Sequence, residues 1–346
     1  MNRHSVTAQA TYSELVSQLR MLEVNEFRYG GSFITKEVRG KKYWYHAEKV
    51  GGQLRHKYIG PDTNDIKQQI EVGKETIEDV RETRKRTREM VKILTNTGYN
   101  RPDPVTSRLL ARLASAGAFR LRAVLVGTHA YRCYDGLLGV KLPETTAVTA
   151  DVDVAQFKTI SIAVDDQIEK PIDDLLEEID SRFDFVPRLD PKDGHAEWRI
   201  KGGDLTFELL CPLVGPDDDS LQDLPALGGR GKPLRFLDYL IYETEDAAIL
   251  YETGVLIKVP VPSRYACHKL IVSQRRIEAR LGDASKARKD LAQAEALFEV
   301  LLKDRRTELQ YAWRELLDRG PKWRLYAQNA LEGIDPSIAK EIRSFA

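Results

Sequence analysis

Leu125-Val126-Gly127-Thr128-His129-Ala130 and, further along, Thr149-Ala150-Asp151-Val152-Asp153-Val154 are the stretches on which the reading of this chain turns. The first is an apolar strand running into Gly-Thr, followed by a helix-compatible run, Ala130–Leu137. Glycine lets backbone approach a phosphate, and the N–H groups and hydroxyl at a helix start bind that anion. In the second stretch, side chains two apart on a strand share a face about 7 Å apart, so Asp151 and Asp153 converge on one point. Two like charges there want a cation, and hard oxygen donors select Mg²⁺ or Mn²⁺. A third carboxylate interrupts the apolar run Leu205-Thr206-Phe207-Glu208-Leu209-Leu210. A charge in mid-strand is costly unless it is used, which makes Glu208 the candidate general base or additional metal ligand. Neighbouring Asp204 fits the Lys201-Gly202-Gly203-Asp204 hairpin turn instead.

Working outward, residues 105–117 suggest a helix and 122–126 a short buried strand. Strands are expected over 149–156 and 158–164, a helix over 171–182, and hairpins over 196–210 and 247–259. Pro262-Ser263 then opens helices that run to the end of the chain. Upstream, 33–38, 41–48 and 53–59 are rich in β-branched and aromatic residues and are parted by Arg39-Gly40 and Gly51-Gly52, which predicts a three-stranded meander. Residues 63–97 hold no proline and one glycine, Gly73, and read as one long or two stacked helices. Tyr99-Asn100-Arg101-Pro102-Asp103-Pro104 breaks that pattern and marks a domain boundary. Three units follow: a β-meander and long-helix module over 1–100, a core over 101–261 and a helical domain over 262–346. The fold class expected is α+β, with a mixed or antiparallel sheet in the core.

The chain has 346 residues with 53 basic and 53 acidic side chains, so no global field draws it to nucleic acid or membrane. No run approaches the roughly 18 apolar residues of a membrane span, and the N-terminus lacks the apolar stretch of a signal peptide. A cytoplasmic protein without a membrane partner is expected. Cys133, Cys211 and Cys267 form no CxxC pair and read as small core residues.

Charge is segregated locally. Between Asp165 and Asp190 ten acids face three bases, and between Ser263 and Asp290 eight bases face three acids. Between Lys36 and Lys57 seven bases face two acids, interleaved with Tyr43, Trp44, Tyr45 and His46. Rings stack on nucleobases while cations meet phosphates, so this sheet is a candidate nucleic-acid surface, or else one that packs an aromatic face on a neighbour. In the basic C-terminal stretch, Lys269 and Arg276 are seven apart and nearly in line on a helix, aimed at one polyanion; Lys286 and Asp290 are four apart on the next.

Strand, Gly-Thr, helix, Asp-x-Asp on the next strand and an acid on a later one together resemble the polymerase-β-type nucleotidyltransferase superfamily. VGTHAY, TADVDVA and FELLCP are similar to a bacterial branch akin to the toxin nucleotidyltransferases of abortive-infection systems. Lys269-Leu270 with Arg276, and Lys289-Asp290, are similar to its KLxxxxxR and [RK]DxxD helical motifs. The resemblance covers roughly residues 105–300 and implies transfer of a nucleoside monophosphate from an NTP to a hydroxyl or phosphate acceptor, with pyrophosphate released. It implies Gly127 and Thr128 at the phosphates, and metal held by Asp151, Asp153 and Glu208. It also implies Lys269 on the triphosphate and Asp290 orienting a basic side chain or the nucleotide; the basic, aromatic N-terminal module is expected to hold a macromolecular acceptor, tRNA or another RNA, and an antitoxin-like protein is a candidate partner. Glu208 stands where Asp is commoner, Gln293 replaces the last acid of the helical motif, and the long Gly127-to-Asp151 spacing implies a loop inserted around Lys141–Thr146. Two other readings compete. One is a catalytically silent nucleotide- or nucleic-acid-binding regulator on the same fold, against which the retention of all three acids argues. The other is a sugar transferase, which would need a nucleotide-binding α/β unit ahead of Asp-x-Asp.

Overall fold

The computed structural model describes residues 1–29, 31–50, 53–143, 151–159, 167–188, 194–216, 218–278 and 284–346, the side chains of 26–29, 48–50, 53 and 55 excepted. The Gly51-Gly52 turn, most of the expected 158–164 strand and half of the expected loop at Lys141–Thr146 lie outside the described residues. The chain is α+β, as its sequence pattern implied.

It begins with a helix, α1 (Val6–Tyr29), that no expectation covered. Ala8, Tyr12, Leu15, Val16, Leu19 and Leu22 recur at helical spacing and are buried. Next comes the meander β1 (Ser32–Val38), β2 (Lys41–Val50) and β3 (Gln53–Pro61), antiparallel throughout. A single long helix, α2 (Asn64–Asn96), follows, opened by Thr63, whose side chain accepts from the Ile66 N–H. Gly73 lies within it, at a place where the Phe33 ring leaves no room for a side chain: a Cβ would lie 2.5 Å from Phe33 Cζ. Helix α1 packs along α2, and their shared core takes in Tyr99, Ala248 and Leu250.

Asp103 then caps α3 (Pro104–Ser115), accepting from the Val105 and Thr106 N–H groups at 3.0 Å each, with proline in the first turn. The central sheet is mixed. Its strand β4 (Val124–Val126) leads directly into α4 (Gly127–Leu138) and pairs antiparallel with β5 (Asp151–Ala155). After α5 (Ile172–Ile179) come β6 (Phe183–Phe185), β7 (Glu197–Ile200) and β8 (Thr206–Pro212). Strand β8 runs parallel to β5 on one side; on the other its first half pairs antiparallel with β7 and its end pairs parallel with β10 (Gly229–Leu234), which β9 (Gln222–Leu224) flanks. The expected 171–182 helix ends early, because Asp180 is extended and binds the backbone N–H of Arg182.

A short α6 (Leu237–Ile241) and the hairpin β11 (Thr244–Ile249) and β12 (Val255–Pro260) lead to the helical end of the chain. That end holds α7 (Pro262–Glu278), α8 (Ala284–Asp304), α9 (Arg306–Asp318), α10 (Pro321–Ala330) and α11 (Pro336–Arg343). One continuous apolar core joins α3, the central sheet and these helices, with Phe207, Tyr239, Tyr265, Phe298 and Trp313 among its fully buried rings. All three cysteines are free and buried within it. Among the described residues no helix is long and apolar enough to cross a membrane.

Candidate functional site at the β4–α4 turn

Strand alternation sorts β5 into two faces. Val152 and Val154 are buried in the core, while Asp151 and Asp153 point to the other side. The parallel ladder sets Asp151 opposite Thr206 and Asp153 opposite Glu208. Neighbouring strands lie about 4.8 Å apart, so Glu208 is the cross-strand neighbour of Asp153 and the three carboxylates occupy one patch. Phe207 and Leu209, of opposite parity on β8, are fully buried, which explains the apolar run that Glu208 interrupts.

The turn from β4 to α4 closes over this patch. Val126 pairs with Asp153, and Gly127 adopts φ +67°, where a side chain is strained. A Cβ at Gly127 would sit 2.5 Å from Asp153 Oδ2. Two independent constraints therefore demand glycine, and no side chain caps the start of α4. The peptide of Gly127 is braced from behind: the buried Tyr265 hydroxyl donates to its carbonyl at 2.8 Å and lies 3.2 Å from Gln293 Oε1. Gln293, the departure from the acidic helical motif, is buried with its side-chain amide against that hydroxyl.

The cations come from three elements. Lys289 on α8 donates to Thr128 Oγ1 at 3.2 Å. Burial, then neighbouring Lys269, lowers the Lys289 pKa. Lys269 and Arg276, both on α7, bind opposite oxygens of the buried Asp290 carboxylate at 2.5 and 2.8 Å. Lys269 also lies over the Tyr265 ring, 5.3 Å from its centroid and so within reach of a cation–π contact. From β10, Lys232 reaches Glu208 at 2.8 Å.

Asp153 feels all of this. Burial, then Glu208 and Asp151, push its carboxyl up to about 7, against the opposing pull of Lys269 and Lys232. Three crowded hard-oxygen donors of one sign fit a divalent cation, which would relieve that crowding. They do not form a closed cage: Asp151 is turned to the Thr206 hydroxyl and Glu208 to Lys232. Among the described residues no group of three or more His, Cys, Asp or Glu side chains is gathered in metal-holding geometry.

Gly127, Thr128, Asp151, Asp153, Glu208, Lys269 and Asp290 thus meet around one turn, with Arg276 joined to them through Asp290. Lys286 is exposed on α8; Lys289, three residues on, is the lysine at Thr128. Its signal was legible, since it directly precedes Asp290. Lys232 had no such signal, because only the parallel β8–β10 pairing brings it to Glu208. His129 and His268 are buried beside the turn and beside Lys269, and burial first, then nearby cations, push them down to about 4 and about 3. Both are therefore held in the neutral form.

Comparison with known proteins gives two matches to protein families. Residues 105–318 match the model of a family described as Nucleotidyltransferase, and residues 8–68 match one described as Domain of unknown function (DUF6788). No curated protein and no solved structure matches the chain.

Proposed function

The chain belongs to the nucleotidyltransferase family, and from that premise we propose that it transfers a nucleoside monophosphate from an NTP to a hydroxyl or phosphate acceptor on RNA, tRNA included. The observation that carries the reading is the register of Asp153 against Glu208, with Asp151 on the same face, beneath the Gly127–Thr128 turn. Asp151, Asp153 and Glu208 would hold Mg²⁺ or Mn²⁺, whose charge offsets the triphosphate and polarises the acceptor oxygen.

The remaining roles belong to the chain itself. The Gly127 and Thr128 backbone, the Thr128 hydroxyl and Lys289 receive the phosphates at the start of α4. Lys269 and Arg276, fixed by Asp290, supply positive charge on the same side. The acceptor oxygen attacks the α-phosphorus, the bond from that phosphorus to the bridging oxygen breaks, and pyrophosphate leaves with the electron pair. Glu208 takes the acceptor proton. A toxin-type role with an antitoxin-like protein partner is a further part of this reading, and rests on the sequence resemblance alone.

The test uses purified protein, each α-labelled NTP, Mg²⁺ and total RNA. Label in RNA together with pyrophosphate release is expected, and both should be lost in Asp151→Ala and Asp153→Ala. Wild type and variants behaving alike would sink the proposal, and tight NTP binding without turnover would favour a silent regulator.

A further inference from the structure

The meander β1–β3 has two faces of different chemistry. The inner one lies on α2: Phe33 fills the space over Gly73, Lys74 sits 5.6 Å from the Trp44 ring centre, and Trp44 Nε1 donates to Asp62 at 2.7 Å. The outer one gathers three tyrosines from two strands. Tyr45 and Tyr58 are cross-strand partners with rings 5.5 Å apart, and Tyr43 lies 6.1 Å from Tyr58. Tyr58 is 53% exposed. Lys36 stands over the Tyr45 ring at 5.0 Å and contacts His56 Nδ1 at 2.7 Å, so His56 is the acceptor and the ammonium remains the charge of this face. Lys41, paired with Val38 in the register, shares the parity of Tyr43. The two acids of these strands, Glu37 and Glu48, occupy register positions of the opposite parity.

We propose that this outer face is a stacking platform for single-stranded RNA, with unpaired bases on Tyr43, Tyr45 and Tyr58 and the backbone phosphates on Lys36 and Lys41. Charge complementarity selects a polyanion, because cations and aromatic rings share the face while the acids take the other parity. The exposed Tyr58 ring, with Tyr43 and Tyr45 half-buried beside it, selects unpaired bases, since a duplex hides its base faces and displays only phosphate and groove edges. RNA is the commoner source of unpaired loops and ends. The inference refines the acceptor named in the proposed function and rests on that reading only for its role in transfer.

The experiment follows fluorescence anisotropy of a labelled single-stranded RNA of about 12 nucleotides, a length within the range such surfaces cover, on the full chain without NTP or metal. Tyr58→Ala should weaken binding about fivefold or more, and Tyr58→Phe, which keeps the ring, should stay within about twofold of wild type. Lys36→Gln should flatten the salt dependence. Because Tyr58 is exposed, the fold should survive its replacement, which an unchanged thermal midpoint verifies. Wild-type affinity in both Tyr58→Ala and Tyr43→Ala would overturn the platform, as would a hairpin duplex binding as well as the single strand. A DNA oligonucleotide of the same sequence binding more tightly would overturn the assignment to RNA. Asp153→Ala should bind RNA normally while losing transfer. Transfer to another acceptor without RNA binding would sink this inference and the RNA acceptor while leaving nucleotidyl transfer standing, and RNA binding without any transfer would sink the proposed activity alone.

Discussion

Asp153 and Gly127 constrain one another. The carboxylate occupies the place of a side chain at 127, and the left-handed backbone there holds the turn against β5. Burial first, then the Glu208 and Asp151 carboxylates beside it, make ionising Asp153 unfavourable, which is why its folded pKa rises to about 7 from an ordinary value of 3.8. A carboxyl with a raised folded pKa contributes stability that is fully present below the unfolded value and is lost as pH rises through the folded one. The metal-free protein should therefore lose stability as pH rises from about 4 to 7, by an amount on the order of 3 kcal/mol between pH 5 and pH 7 at about 1.4 kcal/mol per pKa unit. Urea unfolding in EDTA at pH 5 and pH 8 measures the drop. Asp153→Asn should remove most of it, and added Mg²⁺ should recover stability in the wild type at pH 8. Equal drops in wild type and Asp153→Asn would show that the proton is lost elsewhere.

At the scale of elements, the site is held by one buried carboxylate between two helices. Asp290 on α8 binds Lys269 and Arg276 on α7, and Lys289 beside it reaches α4. Removing one partner of a buried pair leaves the other charge uncompensated, at a cost of about 3–5 kcal/mol. Lys269 is largely buried while Arg276 is substantially exposed, so most of that cost falls on Lys269. Asp290→Ala should thus destabilise by about 3 kcal/mol and raise the KM for NTP as Lys269 loses its anchor. A denaturation midpoint unmoved by the substitution would show that α7 and α8 hold together through their apolar contacts alone. The helical motif was visible in sequence as Lys289-Asp290, but spacing on one helix pointed to Lys286 as the partner. The actual partners come from the preceding helix, a relation that helical periodicity does not encode.

On the scale of the molecule, α1 is the element that pattern reading passed over, although Tyr12, Leu15, Leu19 and Leu22 carry the expected spacing. It is built into the fold: the Ala248 N–H on β11 donates to the Tyr12 hydroxyl at 3.0 Å, and Leu15 is fully buried. Leu15→Ala should cost about 2–5 kcal/mol and lower the midpoint of one cooperative transition, followed by tryptophan fluorescence with Trp313 in the C-terminal core as a reporter. A separate early transition that leaves the main midpoint unchanged would mean that α1 detaches alone.

The sequence by itself determined the strand-turn-helix at Gly127, the face shared by Asp151 and Asp153, the oddity of Glu208 in an apolar strand, and the aromatic, basic meander. These are local matters of parity, backbone freedom and the cost of a buried charge, all readable from neighbours along the chain. Only the tertiary structure decided that Glu208 lies in register with Asp153, that Lys232 answers Glu208, and that Asp290 and Tyr265 brace the turn from the helical region. Each of these joins residues far apart in sequence, through a parallel pairing or a helix packing whose register depends on the whole core.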